Sequence, residues 1–250
     1  ISVYKKFVKT YRITHKTNFE YVNFFLKSFH SIQKFQYIPH INYSSEMTEN
    51  IIVEASQYEK SKEIGKEKYV SITIVKRKRK STKYLQFVST TQSSSDDESK
   101  IFLSKIVDIS KHPAFLQIIN FSLHDAKDNP FPTVYTDNMT KGTLFNILQQ
   151  KSDDFTATKK YINILGVIKA LQHLYFNQSW HCDLKASTVY LDDNLYPHVF
   201  GYELTQSPNA ILELEEKLKK LSFDIKSLFL LIYYIITGEK PSTEQNDNGD

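Results

Sequence analysis

The stretch that decides the fold is His181-Cys182-Asp183-Leu184-Lys185-Ala186-Ser187-Thr188, and the apolar run Val189-Tyr190-Leu191 follows it directly. It places a carboxylate, Asp183, two positions before an ammonium, Lys185. Upstream, apolar side chains recur at three- and four-residue spacing between Tyr161 and Tyr175, which predicts an amphipathic helix. A charged loop therefore lies between a predicted helix and a predicted strand.

Residues 58–89 have the pattern of a β-hairpin. Two β-type runs, Tyr69–Val75 and Lys83–Val88, flank the basic segment Lys76-Arg77-Lys78-Arg79-Lys80. We interpret the basic segment as a solvated hairpin tip, and a nuclear-localisation or nucleic-acid patch is the alternative.

Between the hairpin and the charged loop the pattern is mixed. A helix is predicted from Asp96-Asp97-Glu98 to about Lys111, because carboxylates suit the positive end of a helix dipole. Phe115–Phe121 and Thr133–Tyr135 are predicted strands. Strands first and helices later along the chain indicate an α+β protein in two parts with a cleft between them.

The two ends of the chain carry helical stripes. Apolar residues from Ile225 to Ile236 form one helical stripe, and Gly238 and Pro241 predict the end of that helix. At the other end, a stripe from Val22 to Ile32 predicts a helix that packs on the following domain or docks a partner. A polar linker at 42–50 and a polar tail at 242–250 complete the chain.

The composition is that of an ordinary folded protein. The 250 residues are 40% hydrophobic, and 32 basic against 28 acidic residues give a net charge of +4, too mild to imply a nucleic-acid or membrane partner by itself. The single cysteine, Cys182, cannot form an internal disulfide, so a reducing compartment, the cytoplasm or the nucleus, is expected. The longest apolar run, Leu228–Ile236, has nine residues, well short of the roughly 20 of a membrane span.

The charged loop resembles the catalytic loop of the protein kinase family, H-R-D-L-K-x-x-N followed by an apolar strand. Four further landmarks stand in the family's order. His112-Pro113 resembles the turn after the family's αC helix, and Thr136–Met139 resembles its hinge between the lobes. Asp224–Leu228 resembles the start of a buried C-lobe helix, and Thr237–Pro241 resembles its end.

The resemblance covers residues 58–241 and implies a two-lobed, kinase-like α+β fold. It implies a small N-lobe antiparallel sheet with one helix over about 58–136, and a mostly helical C-lobe over about 140–241. Residues 1–57 would form an N-terminal helical extension and linker. Because the family's later helices have no counterpart, we expect a truncated C-lobe or an extension that packs in their place. The activation segment is shortened to three residues before Pro208.

For the chemistry, the resemblance implies roles for five residues. Asp183 matches the acceptor of the substrate hydroxyl proton, and Lys185 matches the cation beside the γ-phosphate of ATP. Gly65 is the glycine that remains of the Gly-rich loop. Thr136 matches the gatekeeper and Met139 lies in the hinge, so both would line the nucleotide cleft with Gly65.

Other positions depart from the family pattern. Phe87 stands where the strand lysine belongs and would fill the cleft with its ring. Glu67 stands at a glycine position, where its carboxylate would repel a polyphosphate unless it turned away, although Lys66 and Lys68 could partly compensate. Cys182 replaces the arginine that anchors a phosphorylated activation segment.

The magnesium ligands are replaced as well. Thr188 takes the place of the family's asparagine. Gly201 takes that of the D-F-G aspartate, or Val199 does if the alignment slips by one residue, and neither supplies a carboxylate. We therefore expect no metal site, and we expect His181 and Asp224 to have structural roles.

Three functions are compatible with these residues, and we favour the first. It is a pseudokinase, a kinase-like domain that has lost catalysis, needs no cofactor and acts as a binding or scaffold module for protein partners. The second is an active Ser/Thr kinase that uses ATP and Mg²⁺ with non-standard metal ligation. The third is a nuclear or nucleic-acid adaptor that acts through residues 76–80. With the first, we expect neither a nucleic acid nor a membrane as the partner.

Overall fold

A computed structural model describes residues 51–67, 70–201 and 214–241 of the chain. All of them belong to the structural unit Glu46–Asp250. Seven strands and four helices in this part of the chain give an α+β fold, which confirms the class predicted from the sequence.

Several predictions fall outside the described residues. They concern the helical stripe at 22–32, the linker at 42–50, Lys68, the shortened activation segment at 205–208 and the tail at 242–250.

Five strands form one antiparallel sheet in the spatial order β1-β2-β3-β5-β4. They are β1 (Tyr58–Lys66), β2 (Val70–Arg77), β3 (Lys83–Ser89), β4 (Ile118–Ser122) and β5 (Thr133–Asp137). The pairing of β2 with β3 confirms the predicted hairpin, and its register runs from Val70 opposite Ser89 to Lys76 opposite Lys83. The predicted strand at Phe115–Phe121 begins later than expected, at Ile118.

Helices dominate the second half of the described chain. The helices are α1 (Asp96–Ser110), α2 (Leu144–Gln150), α3 (Ala157–Phe176) and α4 (Leu214–Thr237), and a two-stranded sheet pairs β6 (Val189–Leu191) with β7 (Pro197–Val199). Helices α1 and α3 confirm the sequence predictions. Helix α4 confirms the predicted stripe from Ile225 and its end before Gly238, but it begins at Leu214, so Asp224 lies inside the helix and not at its start. The acidic residues of its first turn, Glu215 and Glu216, suit the positive end of the helix dipole and extend the helix ahead of the apolar stripe. In the described parts of the chain, none of the helices combines the length and the apolar character needed to cross a bilayer.

Helix α1 is fixed at its start by capping. The Ser95 hydroxyl accepts a hydrogen bond from the Glu98 N–H, and Asp96, Asp97 and Glu98 lie in the first turn, where the helix dipole favours carboxylates. The buried residues of α1 are apolar side chains and serines. None of the buried positions of this helix therefore carries a carboxylate that could face the sheet.

The two faces of the large sheet have different neighbours. On one face Tyr58 stacks on Tyr135, with ring centroids 3.9 Å apart, and Tyr84 meets Tyr58 edge-on at 5.8 Å. Residues 51–57, which the sequence analysis assigns to the extension, lie against this sheet, and the Val53 N–H donates to a carbonyl of β4 at 2.8 Å. The other face contains Phe87, which lines a cavity together with Asp183 of the charged loop.

Candidate functional site

The charged loop is held in place by a buried carboxylate of helix α4. Asp224 accepts the His181 N–H at 2.8 Å with one oxygen and the Cys182 N–H at 2.7 Å with the other. Asp224 is fully buried, and burial raises the pKa of its carboxyl to about 6, against the opposing effect of the two N–H groups. Cys182 has a φ of 61°, so the chain turns sharply in the left-handed region just before Asp183.

The His181 ring supports the same loop from inside. Its Nδ1 accepts the Asp183 N–H at 3.3 Å, and its Nε2 lies 3.1 Å from the Phe200 carbonyl oxygen. These partners fit the neutral tautomer with the proton on Nε2. Burial lowers the pKa of His181 to about 4, so the ring is uncharged at neutral pH. His181 and Asp224 thus both act on the loop backbone, as their predicted structural roles require.

Thr188 closes the loop onto its own backbone. Its hydroxyl accepts the Lys185 N–H at 3.1 Å and lies 2.9 Å from the Lys185 carbonyl oxygen, to which it can donate. Residues Ala186–Thr188 form a short 3₁₀ turn that leads into β6. The Thr188 hydroxyl is therefore engaged at the position where the family resemblance would place a metal ligand.

An aromatic cluster fills the space between the sheet and the charged loop. Phe87 of β3 lies against Phe200, with ring centroids 3.8 Å apart, and meets Tyr190 edge-on at 5.8 Å. Phe87 is only 1% exposed. The strand alternation thus points Phe87 into the cleft, as the sequence pattern predicted.

The cavity that remains beside this cluster is small. Its volume is about 10 Å³, close to the minimum that holds one water molecule. Small-molecule sites usually occupy roughly 300–1,000 Å³. The cavity is lined by Glu67, Val70, Ile72 and Phe87 from the sheet side and by Asp183, Ser187, Thr188, Tyr190, Phe200 and Gly201 from the other side.

One ion pair crosses this cleft. Glu67, directly after β1, places a carboxylate oxygen 2.7 Å from the Lys185 Nζ, and Asp183 lies 3.2 Å from the same nitrogen. Burial alone would lower the pKa of Lys185, but the carboxylates of Glu67 and Asp183 outweigh it and raise the pKa. The Lys185 ammonium is thus charged and is shared between two carboxylates.

The sequence predicts that the Glu67 carboxylate repels a polyphosphate unless it turns away from the cleft, and in the structure it does not turn away. The carboxylate points into the cleft and contacts the cation that the resemblance assigns to a γ-phosphate. The Glu67 N–H also donates to the Val70 carbonyl at 2.9 Å, which ties Glu67 to the start of β2. A phosphate group at Lys185 would have to displace an anion that the chain itself supplies.

Three predicted nucleotide-binding residues lie outside the cavity lining. Gly65 lies within β1 opposite Ile72. Thr136 is fully buried in β5, and Met139 follows that strand, with its carbonyl accepting the Gly142 N–H. Of the predicted site residues, Asp183 lines the cavity, and Lys185 contacts the two lining carboxylates of Asp183 and Glu67 without lining it. Gly65, Thr136 and Met139 do not line the cavity.

The positions that match the magnesium ligands of the kinase family carry no carboxylate. Val199 is fully buried in β7, where its N–H donates to Ala114. Gly201 has a φ of 96°, and a Cβ there would contact the Thr188 side chain at 3.6 Å. Among the residues that the structure describes, no group of three or more His, Cys, Asp or Glu side chains is arranged to hold a metal ion.

Two contributors to the site were not assigned from the sequence. Tyr190 was placed in an apolar strand but not in the cleft, and Glu67 was not paired with Lys185. Strand geometry places the Tyr190 side chain on the face opposite Val189 and Leu191. Because all three residues of this short strand are apolar and buried, the sequence pattern does not show what the Tyr190 ring contacts. The Glu67 contact joins residues far apart along the chain, and local patterns do not report such pairs.

No protein-family model matches the chain, and no curated protein matches it.

Proposed function

We propose that this chain is a kinase-like binding module that does not transfer phosphate, that is, a pseudokinase. The fold supports the first half of the proposal. A small antiparallel sheet with one helix precedes a mostly helical part, and the charged loop sits where these two parts meet. The family resemblance implies this arrangement for residues 58–241.

The position of Phe87 is the main support for the second half of the proposal, that the chain does not transfer phosphate. A kinase-like active site needs a lysine at this point of the strand to hold the α- and β-phosphates. Here the Phe87 ring packs on Phe200 with centroids 3.8 Å apart and occupies the space instead. The buried residues of α1 include no carboxylate, and the half-buried Asp108 pairs with Lys111. These contacts and the ring at position 87 support the loss of the family's lysine–glutamate pair.

The residues around the cavity do not fit a magnesium–nucleotide complex. The Lys185 ammonium is already paired with Glu67 and Asp183, and a polyphosphate would meet two carboxylates there. The Thr188 hydroxyl is engaged with the loop backbone. Losing one charged hydrogen bond costs roughly 1.5–3 kcal/mol, so losing several would weaken nucleotide binding by orders of magnitude.

The alternative of an active Ser/Thr kinase rests on Asp183 and Lys185. Both residues lie at the cleft, and the Asp183 side chain keeps 20% of its surface exposed. The alternative requires an ammonium free to meet a phosphate, whereas the carboxylate of Glu67 lies 2.7 Å from it. We therefore favour a module that works through protein contacts.

A phosphate-transfer assay tests this proposal. The complete chain is incubated with radiolabelled ATP, Mg²⁺ or Mn²⁺ and general protein substrates, beside the variant Asp183→Asn. We expect no label above background for either protein. Transfer by the unaltered chain that Asp183→Asn abolishes would show that the alternative is correct.

A further inference from the structure

The end of the β2–β3 hairpin concentrates positive charge in a way that the proposed function does not use. Residues 76–83, here named the basic tip, contain six lysines and arginines and no acidic residue. The whole chain has a net charge of +4, so subtracting the +6 of the basic tip leaves −2 for all other residues. The net positive charge of the protein is therefore located in this one hairpin.

Five cations of the basic tip are exposed to solvent. They are Lys76, Lys78, Arg79, Lys80 and Lys83. Within the described part of the chain, none of these five side chains takes part in an ion pair. Glu59 is opposite Lys76 in the register of β1 and β2 but forms no ion pair with it.

The backbone holds these cations close together. Lys76 lies directly opposite Lys83, a cross-strand arrangement in which like charges destabilise a sheet. Arg77 anchors the tip, since its guanidinium donates to the Gln57 side chain at 3.1 Å and the Lys78 N–H donates to the Gln57 carbonyl at 2.8 Å. The Lys80 N–H then closes the turn onto the Arg77 carbonyl at 3.0 Å. The cations are thus presented on an anchored turn and not on a free strand.

The side chains of the basic tip suit a phosphate backbone better than a protein surface. Cores of protein interfaces are enriched in aromatic residues and depleted in lysine, whereas nucleic-acid interfaces are polar and strongly positive. The exposed residues of the basic tip are lysines, one arginine, Ser81 and Thr82, and all can donate hydrogen bonds to phosphate. None of them is aromatic, so the tip offers no platform on which unpaired bases could stack.

We propose that the basic tip binds the phosphate backbone of duplex nucleic acid without reading its sequence. Each exposed cation would contact a phosphate oxygen and release a counterion from the duplex. The tip lies at the end of the hairpin away from the cavity, because Phe87 and Ile72 pair towards the opposite end of β2 and β3. Binding there would therefore leave the cleft unaffected.

The test is a salt titration of binding to a fluorescent duplex DNA of random sequence, followed by fluorescence anisotropy with the complete chain. Five phosphate contacts predict a slope of about −4.5 for log K against log salt, or an affinity loss of about 500-fold between 50 and 200 mM salt. In the variant Lys78→Gln/Arg79→Gln/Lys80→Gln the slope should fall to about −1.8. This variant keeps Arg77, and an unchanged melting temperature would show that it is folded.

A matched control removes the same charge elsewhere. Lys141, Lys169 and Lys226 are also exposed, and their replacement by glutamine should change the slope by less than about one contact. An equal loss in both triple variants would overturn the proposal in favour of a general charge effect. Binding to a glutamate-rich peptide or to phosphatidylserine vesicles, with none to the duplex, would overturn it in favour of a protein or membrane partner.

Discussion

The Glu67 carboxylate lies 2.7 Å from the Lys185 ammonium and so ties the end of β1 to the loop before β6. Both side chains are mostly buried, with 22% and 33% of their surfaces exposed. Under the proposed function, this contact spans the cleft that corresponds to the nucleotide site of a kinase. The Glu67 carboxylate thus links the sheet to the loop through an ion pair within the chain.

A double-mutant cycle measures the strength of this tie. Glu67→Gln should lower the free energy of unfolding by about 1–3 kcal/mol, because a charge-assisted hydrogen bond is weakened while Lys185 stays partly buried. Adding Lys185→Met to Glu67→Gln should cost less than the sum of the two single changes. Urea denaturation of the four proteins gives the coupling energy.

The control for this cycle is the Lys60–Glu63 pair on β1, which has the same 2.7 Å separation but is exposed to solvent. Glu63→Gln should produce no measurable change, because solvent and salt screen such a pair. If Glu67→Gln changed the free energy of unfolding as little as Glu63→Gln does, the contact between Glu67 and Lys185 would not stabilise the protein.

Replacing Phe87 tests what fills the cleft. Phe87→Ala should lower the free energy of unfolding by about 3–5 kcal/mol, since it removes the ring that packs on Phe200. Phe87→Lys, which introduces the residue that protein kinases carry at the matching strand position, should cost at least as much, because the buried residues of α1 hold no carboxylate to pair with the ammonium. Urea denaturation again provides the measurement. A Phe87→Lys protein as stable as the wild type would indicate a partner for the lysine and an open cleft.

The pKa of His181 predicts how its contribution depends on pH. Burial lowers this pKa from an ordinary value near 6.5 to about 4, so the folded protein favours the neutral ring. The unfolded chain binds the proton first as the pH falls from 6.5 to 4, and the stabilisation from His181 is lost over that range. The stability penalty of His181→Gln should therefore shrink by about 3 kcal/mol between pH 7 and pH 4.

The titration of Asp224 also changes the stability with pH, so the effect of His181 must be measured as the difference between the wild type and His181→Gln. Burial raises its pKa to about 6, so its ionisation costs stability as the pH rises from about 4 to 6. This trend opposes that of His181 and partly hides it in the wild type. The difference between wild type and His181→Gln at each pH removes the shared Asp224 effect. A penalty that stays constant from pH 7 to pH 4 would contradict the buried, neutral ring.

Asp224 accepts hydrogen bonds from two backbone N–H groups, so the loss of stability should depend on which residue replaces it. Asp224→Ala leaves the N–H groups of His181 and Cys182 without their acceptor, at about 1–3 kcal/mol for each buried group. Asp224→Asn keeps one acceptor oxygen and should be less harmful. Thermal unfolding followed by circular dichroism compares the two variants. Equal losses in both would mean that the side-chain charge, and not the two hydrogen bonds, holds the loop.

The sequence predicted those elements whose residues follow a regular pattern. The hairpin of β2 and β3 shows apolar alternation and α3 shows a helical stripe, and the structure confirms both. Helix α1 was predicted from the carboxylates of its first turn and is also confirmed. The stripe from Ile225 predicted α4, but not its start at Leu214. Strand β1 was missed because Tyr58–Lys66 is almost wholly charged or polar and exposed on both faces. Helix α2 was missed because it is short and its capping box pairs Thr143 with Asn146, not with the usual Glu or Gln.

The candidate site was predictable in its residue types but not in all of its contacts. The alternation of β3 was enough to point Phe87 into the cleft. The ring that it meets, Phe200, and the cation that Glu67 meets, Lys185, come from distant parts of the chain. Such pairs depend on tertiary packing, which local periodicity does not encode.

The most direct test of the account is the melting temperature of the complete chain with and without millimolar Mg-ATP. A nucleotide at 100 times its dissociation constant would stabilise the protein by about 2.7 kcal/mol and raise the melting temperature by roughly 5–10 °C. We expect no shift, because Phe87 fills the cleft and the carboxylate of Glu67 pairs with the Lys185 ammonium. A shift of that size with Mg-ATP would contradict it.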